Sequence, residues 1–187
     1  EYLWQYYKAV LVALVAVVLV IYTAAVMIGN AMQDTLLSIV IVDSEITSDE
    51  AAAELEQGIL DIIGTGGKHD HVETVLTATS VENDENIMKL RVSLSTAGEA
   101  DVVVCGESVY EEYASQGAFA DMEEVLGDEY DSCAGYMTDG QVDLTKCPES
   151  FLNRYAGYSP AYLCVLSHSE HTENAAELIK AVISGQE

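Results

Sequence analysis

The stretch Ala9–Ile28 (AVLVALVAVVLVIYTAAVMI) constrains this chain most, because its twenty residues carry no charge. At about 1.5 Å per residue, a helix of that length covers roughly 30 Å, the thickness of a bilayer's hydrocarbon core. Thr23 can bond back to its own helix, Tyr22 lies toward one end, and Tyr2, Trp4, Tyr6 and Tyr7 cluster before the other. The run is too long for a signal peptide's apolar core and has no convincing cleavage context. The sequence therefore predicts a single uncleaved transmembrane helix. Lys8 on its amino side and Asp34 on its far side orient it with a cytoplasmic N-terminus and an extracellular C-terminal domain at the cell membrane. The expected organisation is a helix and flank over 1–29, a linker over 30–35 and a domain over 36–187.

Thirty-two acidic residues against seven Lys and Arg give a net charge of −25, nearly all of it beyond the apolar run. That sign excludes nucleic acid as a partner, since phosphate binding needs basic residues. It also argues against a domain lying flat on anionic lipid. Roughly 155 residues suffice for one domain with a real core. Cys133 and Cys147 bracket a Gly- and Asp-containing loop, and a disulfide is expected there, worth roughly 3 kcal/mol for a loop of that length. Cys105 and Cys164 sit in apolar runs as buried thiols or as a second bridge.

Along the domain, Leu36–Val42 reads as a buried strand and Asp43 bounds it. Thr47, with Glu50 three residues on, is read as the cap of a helix that stops near Gly64. Val72–Ala78 is a second strand, a helix runs from about Asp84 to Thr96, and Ala100–Cys105 is a central third strand. Ser108 is read as the cap of the next helix, Asp121 opens a short one, and Asp128–Ser150 is an irregular excursion. Ala161–Leu166 is a fourth strand and Glu173–Ser184 a final helix capped by Thr172. Alternation of this kind predicts a three-layer α/β domain with a mostly parallel sheet of about four strands.

Two phrases carry a family likeness. DVVVCGESVYEEYASQGAFADMEEVLG (Asp101–Gly127), with Gly117-Ala118-Phe119-Ala120-Asp121-Met122 inside it, and YLCVLSHSEHTENAAELIKAV (Tyr162–Val182) resemble the extracellular solute-binding proteins of bacterial ABC transporters, the type II periplasmic binding fold. The resemblance implies a final strand antiparallel to the third, which would place Cys105 and Cys164 on neighbouring strands. A whole protein of that family has two lobes. This chain resembles one lobe, with the other reduced to Asp128–Ser150.

Open α/β sheets bind ligands at the carboxyl ends of their strands. Those loops hold Asp43, Ser44 and Glu45; Thr79, Ser80 and Glu82; and Gly106, Glu107 and Ser108. The expected ligand-binding set is Ser44, Glu45, Ser80, Gly106, Glu107 and Ser108, with Ser108 and the amides after Gly106 able to receive an anion. His69 and His71, and His168 and His171, have zinc-like spacing. They flank strands two and four, roughly 14 Å apart at about 4.8 Å per strand, so exposed turn histidines are the simpler reading and no metal is expected. Gly64-Thr65-Gly66-Gly67 follows a helix and lacks the Lys-Ser/Thr ending of a phosphate loop. No nucleophile elbow or HExxH motif is present, so no catalytic residue, enzyme activity or cofactor is expected.

Two functions follow as expectations. The first is a membrane-anchored, noncatalytic binding module taking a small-molecule solute or a membrane-protein partner, held in the lipid bilayer through Ala9–Ile28. The second is a structural or assembly subunit, pilin-like, that forms a homo-oligomer through its hydrophobic helix. Lys8 beside the span and Gln5, where pilins carry a buried glutamate, weaken the second.

Overall fold

A computed structural model describes residues 12–23, 34–44, 48–67, 69–77, 88, 91, 92, 94–96 and 99–185. The chain divides into two units, Glu1–Asp34 and Thr35–Glu187. In the first, residues 12–23 form a helix. The Thr23 hydroxyl donates to the Val20 carbonyl at 3.0 Å, satisfying the polar side chain within the helix. Among the described residues no helix is long and apolar enough to cross a membrane. The expected transmembrane helix, and with it the single-pass cell-membrane placement, is corrected on this finding. Positions 9–11 and 24–28 of the apolar run lie outside the described residues.

The second unit is an α/β sandwich. Its strands are β1 (Asp34–Ile41), β2 (Asp70–Leu76), β3 (Val102–Gly106), β4 (Met137–Thr138), β5 (Gln141–Asp143) and β6 (Ala161–Val165). Its helices are α1 (Asp49–Ile63), α2 (Glu107–Ala114), α3 (Met122–Leu126), α4 (Tyr130–Cys133) and α5 (Thr172–Ser184). Among the described residues the sheet has six strands, in the order β2-β1-β3-β6-β5-β4. β1 and β3 are parallel, whereas β3/β6, β6/β5 and β5/β4 are antiparallel. The sheet is therefore mixed, which corrects the expected four, mostly parallel strands. The two extra strands come from the Asp128–Ser150 segment. Asp139 (φ 52°) and Gly140 (φ 84°) turn it back on itself with the paired positive φ values of a tight two-residue hairpin.

Alternation along the strands splits the core in two. Leu37, Ile39 and Ile41 point to one face with Leu55, Ile59, Leu178, Ile179 and Val182 of α1 and α5. Val40, Val103, Cys105 and Cys164 point to the other, under Tyr110 and Tyr113 of α2. Both faces of β3 are covered, as its unbroken apolar run requires.

Local capping differs from expectation in three places. The N-cap of α1 is Ser48, whose hydroxyl accepts from the Ala51 N–H; Thr47 lies outside the described residues. The N-cap of α2 is Gly106, so Ser108 sits inside the first turn and not before it. The N-cap of α5 is His171, and Thr172 is its first residue. Asp121 and Gly127 bound α3 as expected. Most of the expected helix from Asp84 to Thr96 falls outside the described residues.

All four cysteines are free and buried, which corrects the expected Cys133–Cys147 disulfide. Both of these thiols pack among the apolar residues of the α1/α5 face and behave as small core side chains. Burial, then the Asp143 carboxylate and the Cys133 thiol, pushes the Cys147 thiol up to about 11. The segment is held without a cross-link. Lys146 Nζ donates to the Met137 carbonyl, Asn153 Nδ2 to the Cys147 carbonyl at 2.8 Å, and the Thr138 hydroxyl to Asp143 at 2.9 Å.

Candidate functional site

Two polar centres sit at opposite edges of the sheet. At the amino edge of β3, Asp101 is 3 % exposed. One carboxylate oxygen accepts from the Ser169 hydroxyl (2.7 Å) and from the Glu170 and His171 N–H groups (3.1 and 3.3 Å). The other accepts from the Ser38 N–H and faces His171 Nδ1, both at 2.9 Å. Burial works to raise the Asp101 carboxyl. The hydrogen bonds from Ser169, Ser38 and His171, with the charge of His171, outweigh it and hold the group below the usual carboxylate range. Asp, His and Ser meet here without forming a nucleophilic triad. The serine hydroxyl donates to the carboxylate, so the imidazole is not placed to take its proton. The centre is a clamp joining β1, β3 and the start of α5.

The carboxyl edge is different. β1 ends at Ile41 and turns through Asp43, which has a positive φ of 53°. β3 ends at Gly106 and runs directly into α2. Because β6 is antiparallel to β3, the loop before it, residues 157–160, arrives at this same edge. Asp43, Gly106, Glu107, Ser108 and Val109 with Gly157, Tyr158, Ser159 and Pro160 line a cleft of about 540 Å³. That volume is within the range of small-molecule sites. The Tyr158 hydroxyl donates to the Val104 carbonyl at 3.1 Å, which fixes the ring against the end of β3. A Cβ on residue 106 would meet the ring at 3.3 Å, so glycine lets it lie that close. Burial pushes the Tyr158 phenol well above its usual range, and Cys105, Asp43 and Cys164 add to the shift.

Of the expected ligand-binding residues, Gly106, Glu107 and Ser108 come together in this cleft. Ser44 does not line it. Its hydroxyl donates to the Tyr155 carbonyl (2.9 Å) and its N–H to the Thr77 carbonyl (3.1 Å), so it ties the ends of β1 and β2 to the loop after Leu152. Glu45 and Ser80, with Thr79 and Glu82, lie outside the described residues. Tyr158, Ser159 and Pro160 also line the cleft and are absent from the expected ligand-binding set. The available signal was topological: a loop feeding an antiparallel strand beside β3 must open at the carboxyl edge.

The histidine pairs stand where strand counting put them. β2 and β6 are separated by β1 and β3. Among the described residues, no group of three His, Cys, Asp or Glu side chains is arranged to hold a metal ion.

Comparison with protein-family models, with curated proteins and with solved structures returned no match for this chain.

Proposed function

We propose that the Thr35–Glu187 unit is a noncatalytic binding module, comparable to one lobe of a type II periplasmic binding protein, and that its carboxyl-edge cleft takes a small solute. The cleft itself carries this reading: about 540 Å³, at the ends of parallel neighbours β1 and β3, where open α/β sheets hold ligands. The strand order β2-β1-β3-β6 with β6 antiparallel supports the family likeness, since that pairing is what the resemblance implies. The arrangement around Asp101 supports a noncatalytic role, because its serine and histidine are both spent on a structural carboxylate.

The test is thermal unfolding of the full chain against a panel of small solutes. A true ligand at about 100 times its Kd stabilises by about 2.7 kcal/mol, a rise of several degrees for a chain of this size. Gly106→Val, which drives a side chain into the Tyr158 ring, should abolish the rise. A ligand whose effect survives that substitution binds elsewhere, and the cleft reading then fails.

A second reading has its own observation. Val12, Leu14, Val15, Val17, Val18, Leu19, Val20, Ile21 and Tyr22 all stand exposed on the 12–23 helix, by 48 % or more. A helix apolar all round is ordinarily covered. Self-association through it would make the chain an assembly subunit. Sedimentation of the full chain and of a Val17→Glu, Ile21→Glu variant tests this: an oligomer held by the helix dissociates, and one that persists is held by other surfaces.

A further inference from the structure

We propose that the Thr35–Glu187 unit is a salt-dependent fold, whose native state reaches full stability only in near-molar monovalent salt. The inference stands apart from the cleft and from what the cleft holds. Its first support is the balance of charge. Thirty-two Asp and Glu stand against seven Lys and Arg. If every Lys and Arg took one acid, twenty-five acids would still have no cation of their own. A surface so one-sided works against the compact state through self-repulsion. Among the described residues, Arg154 pairs with Glu54 and Lys180 with Glu129. These side chains are between 41 and 64 % exposed, where an ion pair adds little.

The second support is placement. α1, α2 and α5 each carry two exposed glutamates four residues apart: Glu50 and Glu54, Glu107 and Glu111, Glu173 and Glu177. Like charges at that spacing destabilise a helix. The first of each pair sits in the first turn, where the helix dipole favours it, and the second lies beyond that turn. At the other ends the sign is wrong. No Lys or Arg stands in the last turn of these three helices, whereas Asp61 occupies that of α1, and Glu111 and Glu112 that of α2. Side chains four apart on a helix lie about 5–6 Å from each other at Cβ. The Debye length is about 10 Å at 0.1 M salt and about 3 Å at 1 M. Dilute buffer therefore leaves these pairs unscreened, and only molar salt screens them. The Asp101 clamp is sealed from water and is screened far less, so the fold loses little in exchange.

The experiment is thermal unfolding of the full chain at pH 7, followed by circular dichroism, from about 0.05 to about 2 M KCl. The melting temperature should rise by about 10 °C or more, most of it below about 1 M, where the Debye length falls past the pair spacing. A chain unfolded at the lowest salt and folded at the highest is the same result at its limit. Sucrose strengthens burial by exclusion from the surface and screens nothing, so it should give a much smaller rise. The second arm is a triple variant, Asp61→Asn, Glu111→Gln and Glu177→Gln, which takes one charge from each helix. It should melt about 2–4 °C above wild type at the lowest salt and level with it at the highest. Acids that serve the fold by packing or hydrogen bonding would give the reverse, a loss at both salts. A melting temperature flat across the KCl range would overturn the proposal. So would a rise that sucrose matches, or a triple variant no more stable than wild type at the lowest salt.

Discussion

The amino and carboxyl edges of β3 lie only five residues apart along one strand, yet they are built for different ends. At the amino edge both oxygens of Asp101 are saturated by donors from β1 and from the start of α5, and the carboxylate is sealed from water. At the carboxyl edge the chain leaves through Gly106, an aromatic ring replaces the missing side chain, and polar groups line an open cleft. The contrast teaches that the polar cluster with the more enzyme-like composition is the structural one. Its members satisfy one another, and a group whose hydrogen bonds are all internal has little left for a ligand.

The sharpest way to break this contrast is Asp101→Asn. It leaves buried donors facing an amide with one acceptor oxygen, and should cost about 2–4 kcal/mol in urea unfolding at pH 7 while a cleft ligand still raises the melting temperature. The pH dependence has a defined sign. Because the folded-state pKa is depressed, the Asp101 contribution is present above the ordinary carboxylate pKa and is lost as pH falls through the folded value. Wild type and Asp101→Asn should therefore converge in stability under acid. A constant gap down to the lowest pH would mean that Asp101 is not a charged clamp.

Next in size is Gly106→Val, expected to cost about 1–3 kcal/mol by displacing the Tyr158 ring and its bond to Val104. Here the ligand effect should vanish, the reverse of Asp101→Asn. If both substitutions affect stability and binding alike, the two edges are not separable.

A smaller pair of substitutions compares the caps. Ser48→Ala should cost about 1 kcal/mol, since its hydroxyl holds the Ala51 N–H. Ser108→Ala should fall within about 0.5 kcal/mol, because Ser108 lies inside α2 and not at its cap. The smallest expected effect is that of a reductant. With all four thiols free, dithiothreitol should leave the melting temperature unchanged, whereas losing a native disulfide typically costs 2–5 kcal/mol.

Much of the second unit was legible because its signals are local. Apolar β-branched runs marked β1, β3 and β6 to within two residues, and Gly64 and Gly127 marked helix ends where the structure has them. β4 and β5 were missed because two and three residues are too few to show a period. Their one clear signal was Asp139-Gly140, a dipeptide suited to two successive positive φ values. The site was half legible. Gly106, Glu107 and Ser108 follow from the rule of carboxyl ends, whereas Tyr158 joins them only through the direction of β6.

By itself, the sequence determined where β1, β3 and β6 run to within two residues, where α1 and α3 end, and that the chain is intensely acidic. Pattern, caps and charge are properties of neighbours along the backbone. Only the tertiary structure decided that Cys133 and Cys147 remain thiols, that Asp101 is clamped by residues 63 and 70 positions away, and that a tyrosine fifty-two residues past Gly106 walls its cleft. Each of those depends on which segments the sheet brings side by side, and pairing across a sheet is fixed by burial of whole faces and not by any short stretch of residues.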